Sequence, residues 1–336
     1  MYQTKLNKKE KFLSFLENET VDGYIPFQPI LMHFAARLNG STYGQFASDY
    51  KVLVESNIKA LNEFDLDWVE LISDPYRETS AFGAKIEYIP EGVPKCLAPI
   101  VKTIDDVNAL KDPDVYKAPR TLDRIKGAEL YQKLLHGTVP VFGWIEGPLA
   151  EACDLVGVSD MLVMLMIDPD FSNLLMDKCM VTAKAFALAQ INAGCDVIGI
   201  GDAICSQIET DLYDRFVKQR HLELVKYIHS LRCRTKMHIC GNISHLLPSL
   251  KDLELDILDL DWQLSFDDAH KIMGSNVALC GNINPVIIQN SNAAELTQLT
   301  LSLIGHERGK KFILSGGCEI TVLTPHQNLK AMRVAV

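Results

Sequence analysis

The sequence predicts an α/β chain folded as a single closed (β/α)8 TIM barrel with extra structure inserted between its second and third strands. Three observations predict it. Eight short runs rich in β-branched and aromatic residues alternate with longer helical patterns, as a parallel sheet with crossover helices requires. The runs are regularly spaced from the fourth onward. No repeat, low-complexity tract or Pro/Gly-rich linker marks a boundary, so residues 1–336 read as one domain.

The runs are Tyr24 to Leu31, Leu66 to Ser73, Val139 to Ile145, Asp196 to Gly201, Thr235 to Cys240, Asp256 to Leu260, Asn276 to Cys280 and Lys311 to Ser315. About sixty residues separate the second from the third, far more than an ordinary connection needs. Within that stretch, at about 76–138, AFGAKIEYI and CLAPIVK predict a small hairpin, TIDDVNAL a helix capped by its threonine, and DRIKGAELYQKLLHG a helix stopped at Gly137. The expectation is an excursion near the barrel mouth.

A net charge of −10 and 48% apolar residues describe a chain able to build a sizeable core but lacking the clustered cations of a nucleic-acid surface. The N-terminal stretch is charged and amphipathic, with no apolar core of signal-peptide length, and no run reaches the roughly 18 apolar residues of a membrane span. A cytoplasmic, reducing compartment is therefore expected. Nine cysteines, an odd count scattered along the chain, do not resemble a disulfide framework. A homodimer would leave no sequence signature.

Barrel chemistry gathers at the C-terminal ends of the strands. Those ends here are His33, Asp74, Glu146, Asp202, His238 with Cys240, Asp261, Asn282 and Cys318. His238 and Cys240 are two apart, so one strand can aim both at the axis; Cys318 follows two glycines, Gly316 and Gly317, that would let it swing inward. One imidazole and two thiolates suit Zn²⁺ and leave a position open, whereas a cysteine on a buried strand is often only a core residue. Asp202 and Glu146 are expected to supply a fourth ligand or to orient the imidazole, unless Asp202 is a helix cap. Asp74 completes the catalytic set. His33, Asn242 and Asn282 are expected to bind substrate, although Asn242 beside Gly241 also suits a local turn. Met161 to Met166 reads as a core-facing helical stripe, and His221, His229, His270 and His306 as surface or satisfied residues.

The segments IPFQPILMHFAARLNG, GWIEGPLAEACDLVG, GCDVIGIGD, MHICGNISHLLPSL, ALCGNINP and LSGGCEITVLTPHQN resemble the uroporphyrinogen decarboxylase superfamily, and within it the zinc-dependent corrinoid methyltransferases. The resemblance covers nearly the whole chain. It departs from the decarboxylases where they carry an arginine-rich RQAGR segment after the first strand: MHFAARLNG here offers only Arg37 to an octacarboxylate. Asp74 stands in a place like that of the decarboxylase's catalytic aspartate. The HxC…C pattern of the methyltransferase branch is present at His238, Cys240 and Cys318. The resemblance thus implies zinc, a methylcobalamin-type corrinoid carried by a partner protein, and a small methyl acceptor such as the thiol coenzyme M. Demethylation of an ether or amine donor onto reduced cobalt, and a decarboxylase, are the alternatives. A noncatalytic binding barrel is the remaining competitor.

Overall fold

The computed structural model describes residues 6–17 and 23–336. Among these residues are nine strands: β1 (Val69–Glu70), β2 (Ile86–Glu87), β3 (Lys95–Cys96), β4 (Val141–Glu146), β5 (Val197–Gly201), β6 (Arg234–His238), β7 (Ile257–Asp259), β8 (Ala278–Ile283) and β9 (Phe312–Gly316). β2 and β3 form a separate antiparallel hairpin. The other seven make one parallel sheet in the order β1-β4-β5-β6-β7-β8-β9. Each predicted run from the second onward coincides with one of these seven.

The first run, Tyr24 to Leu31, is not a ladder. Phe27 makes a single parallel bridge to Leu314 of β9, and the Asp67 amide donates to the Phe27 carbonyl, so the segment touches both edges of the sheet. Pro26 and Pro29 flank that bridge and have no N–H to donate, which cuts pairing to one point. The Asp67 carboxylate accepts the Phe27 amide at 2.7 Å.

Between β1 and β4 lie the helix Arg77–Ala81, the hairpin, and the helices Ile104–Ala109 and Pro119–Leu135. Thr103 caps the second of these in a capping box with Asp106, as its sequence predicts. The third ends at His136, whose φ of 51° is left-handed, one residue before the expected stop at Gly137. That helix packs against both Tyr50–Phe64 and Pro169–Asn192. It therefore belongs to the outer helical layer and is not part of an excursion at the barrel mouth.

Alternation along the strands sorts side chains between two layers. Met237 joins the large cluster under the helices, while Lys236 lies over the Trp68 and Trp144 rings inside the sheet. At the floor, the N-terminal helix Lys8–Leu16 inserts Phe12 and Leu16 against Trp68, Phe142, Val197 and Ile257. Part of the amphipathic N-terminal stretch (1–5 and 18–20) lies outside the described residues. Higher up, Gly199 leaves room for Trp144, because a Cβ there would overlap the indole. The Met161–Met166 stripe is only half core: Met161 and Leu165 are buried, whereas Val163 and Met166 face solvent. Among the described residues no helix is long and apolar enough to cross a membrane.

Candidate metal centre and substrate cavity

Register places the site. Glu146 on β4 aligns with Gly201 on β5, and Gly201 with His238 on β6, so these strand ends share one level of the sheet. Past His238 the chain turns at Gly241, whose φ of 89° favours glycine, and the Gly241 amide donates to Asp261 Oδ2 at 3.0 Å. That bond fixes Cys240. Cys318 arrives from β9 through Gly316 and Gly317, neither in a left-handed conformation. Their value is space: a Cβ on Gly317 would collide with the Trp262 backbone.

His238 Nε2 lies 3.0 Å from Cys240 Sγ, and the two sulfurs are 3.7 Å apart, with all three ligand atoms within 4.8 Å of one another. Two thiolates held about 2.3 Å from one zinc at a tetrahedral angle stand roughly 3.8 Å apart, so the donor set and the sulfur–sulfur spacing fit such an ion. Without metal, the hydrogen bond from Cys240 draws the Cys318 thiol down to about 4, and the same bond pushes Cys240 up.

The imidazole is oriented by residues that the sequence reading missed. His238 Nδ1 is 2.8 Å from Asp259 Oδ2, which also takes Lys236 Nζ at 3.1 Å. With Nδ1–H donated to the carboxylate, the Nε2 lone pair faces the sulfurs. Burial opposes ionisation of Asp259, but the Lys236 ammonium and the His238 hydrogen bond hold it below the usual carboxylate range. Lys236 and Asp259 were visible as charged residues on strand faces that the period-2 pattern turns inward.

A cavity of about 220 Å³ opens beside the triad, lined by Ile30, Met32, Ile72, Trp144, Asp74, Arg77, Glu146, Glu319 and the triad itself. A larger concavity, about 750 Å³, is lined by Phe15, Tyr24 and Lys311 among others and holds none of these groups. Arg77 has no exposed surface; it pairs with Glu146 Oε1 at 2.6 Å and donates to the Asp74 carbonyl. Asp74 is saturated by Arg120 at 2.6 Å, Ser73 and the Tyr76 amide. Burial pushes Glu146 well above the usual range, against the pull of Arg77. Burial likewise lifts Glu319, which accepts the His33 amide at 3.0 Å, to about 7.

Several expected site residues lie elsewhere. Asp202 is fully buried, accepting the Leu149 and Ala150 amides at the start of the helix Pro148–Val156 and contacting His221 Nε2 at 2.9 Å. It caps that neighbouring helix and is neither a zinc ligand nor the group that orients His238. The His33 ring stacks on Tyr43 and reaches Glu91, so its amide, not its imidazole, serves the cavity through Glu319. Asn242 accepts from Ser244 in a local turn, and Asn282 donates to the Asp261 and Leu264 carbonyls. Neither lines the cavity. Asp202, Cys205 and His221 form a second close group, but all are buried and Tyr213 occupies the other imidazole nitrogen. His229, His270 and His306 pair with Asp256, Glu307 and Asp267.

Behind Glu146, Glu151 is buried with one oxygen unpartnered and the other 3.2 Å from Thr79. Burial, then the Glu78 charge, raises its pKa well above the usual value. A raised folded-state pKa contributes stability that is present below the unfolded value near 4.5 and lost as pH climbs. Glu151→Gln is therefore expected to stabilise the chain by about 1–3 kcal/mol at pH 8, with the gain vanishing toward pH 4 in thermal melts. A gain independent of pH would contradict this assignment.

The uroporphyrinogen decarboxylase (URO-D) family model matches residues 7–336. The chain belongs to that family. Relatives of two activities are similar to it. A methylcobamide:CoM methyltransferase, MtaA, from Methanosarcina barkeri is 26% identical over 290 residues, covering 82% of each chain. A uroporphyrinogen decarboxylase from Coxiella burnetii is 28% identical over 302 residues, 87% of this chain and 82% of the other. Among solved structures, a methyltransferase from Methanosarcina mazei superposes with a TM-score of 0.88 at 21% identity over 98% of both chains, which establishes the shared fold.

Proposed function

We propose that this protein is a zinc-dependent methyltransferase moving a methyl group between a corrinoid, presented by a partner protein over the barrel mouth, and a small thiol activated at His238, Cys240 and Cys318. The fold is read as a complete (β/α)8 barrel closed through Phe27. The observation that carries the functional reading is the triad's spacing, 3.0 Å from imidazole to sulfur and 3.7 Å between sulfurs, at the edge of a cavity. Zinc bound there supplies a thiolate at neutral pH from a substrate whose free thiol, with pKa near 8.5, would ionise only slightly.

The chain's own residues do the rest. Asp259 holds the His238 tautomer, Lys236 keeps Asp259 charged, and Trp144, Ile30, Ile72 and Met32 give the cavity a water-excluding wall. The volume, about 220 Å³, falls below the roughly 300–1,000 Å³ typical of drug-sized ligands and suits a small acceptor, not a tetrapyrrole. The decarboxylase reading is further weakened because Asp74 is already neutralised by Arg120.

Incubating the zinc-loaded protein with methylcobalamin and a thiol panel, while following the corrinoid spectrum, tests this. Thiol-dependent demethylation is expected, and its loss in Cys240→Ser ties it to the triad. Methylation of cob(I)alamin by an ether or amine without any thiol reaction would reverse the direction. Release of CO₂ from a porphyrinogen would replace the proposal with a decarboxylase.

A further inference from the structure

The cavity's polar wall is one-sided. Three carboxyl groups, Asp74, Glu146 and Glu319, line it against one guanidinium, Arg77. Arg77 has no exposed surface and is already engaged by Glu146, Glu78 and the Asp74 carbonyl. Asp74 is spent on Arg120, Ser73 and Tyr76. What the cavity still offers is one oxygen of Glu146 and one of Glu319. Glu146 Oε1 meets Arg77 and Glu319 Oε1 meets the His33 amide, while each second oxygen has no protein partner among the described residues. Glu146 is only 8% exposed and lines the cavity, so its free oxygen meets little besides what the cavity holds. The rest of the lining, Ile30, Met32, Ile72, Pro75 and Trp144, is apolar.

From this arrangement we infer that the substrate end of the cavity selects a small molecule with a cationic or hydrogen-donating tail, such as an ammonium, and disfavours an anionic one. The inference rests on the zinc–thiol reading for the reacting end but names the chemistry of the other end. A zinc held by two thiolates and a neutral imidazole keeps no net positive charge, so the metal does not compensate an anionic tail. An ammonium donates into both free oxygens whichever form the two acids take, whereas a sulfonate or carboxylate finds a donor only in a protonated acid and otherwise faces acceptors alone. The sulfonate-tailed thiol coenzyme M, for which the Methanosarcina barkeri relative is named, is then the poorer partner for this chain.

Three thiols of equal length isolate the tail: 2-aminoethanethiol, 2-mercaptoethanol and 2-sulfanylethanesulfonate. Titrated into the cobalt(II)-substituted protein, with affinities read from the sulfur-to-cobalt absorption band and corrected to the thiolate, they should bind in that order. The cation should bind about tenfold or more tighter than the anion. Glu319→Gln should shrink that ratio without removing the band, and Glu146→Gln gives the same reading if it folds. Calorimetry of the metal-free chain with ethylammonium and ethanesulfonate reads tail preference without any metal–sulfur bond. A tighter cation there supports the inference even if no thiol gives the band, an outcome that would sink only the thiol reading. Equal or tighter binding of ethanesulfonate overturns the inference even where the band appears.

Discussion

Replacing Cys240 or Cys318 by serine is expected to weaken zinc binding by about 100-fold or more. Structural zinc sites with four protein ligands bind with roughly 10–16 kcal/mol, so one thiolate accounts for about 3 kcal/mol. The sulfurs sit 3.7 Å apart at the cavity edge and not in the packed core, so melting temperature without zinc should change little. A graded companion separates ligands from their support. Asp259→Asn keeps the shape but loses the charge that His238 Nδ1–H meets at 2.8 Å, and should weaken zinc by about 10–100-fold. Lys236→Met should act in the same direction through Asp259. Competition against a chromogenic chelator measures all four. Unchanged affinity in the cysteine variants would remove the triad as the metal site.

Arg77→Met should be the most damaging substitution for stability. The guanidinium is fully buried and stands between Glu146 at 2.6 Å and Glu78 at 3.6 Å. Removing it leaves those carboxyls without their counter-charge, an uncompensated burial that costs about 3–5 kcal/mol. Burial already raises the pKa of both acids, and loss of Arg77 removes the main opposing charge. Both acids then contribute more stability below about pH 4.5 than above it. The deficit should therefore be largest at pH 8 and shrink on acidification. Urea unfolding at pH 8 and pH 5 reads both parts. A deficit that grows toward acid would mean that the carboxyls are held as anions by something other than Arg77.

Strand order and the level of the strand ends were legible because period-2 apolar runs and register obey local rules. The first run failed as a strand for an equally local reason, Pro26 and Pro29 on either side of Phe27. The triad was legible from the two-residue spacing of His238, which ends β6, and Cys240 just past it, and from Cys318 past β9. What sequence did not yield was the use of each acid. Asp202 at a strand end looked like a site group, but its oxygens meet the Leu149 and Ala150 amides of another segment. Asp259, two residues before the expected mouth residue Asp261, proved to be the partner of His238, because Met237 and Leu258 set the two strands in register. Such pairings are made across strands, and no single-strand pattern contains them.

X-ray absorption at the zinc edge of the metal-loaded protein tests most directly whether the three side chains form one zinc site with a free position. Two sulfur scatterers near 2.3 Å, one imidazole nitrogen near 2.0–2.1 Å and a light fourth ligand that a thiol converts to a third sulfur are expected. A shell of nitrogen and oxygen only, or four protein ligands unchanged by thiol, would contradict it.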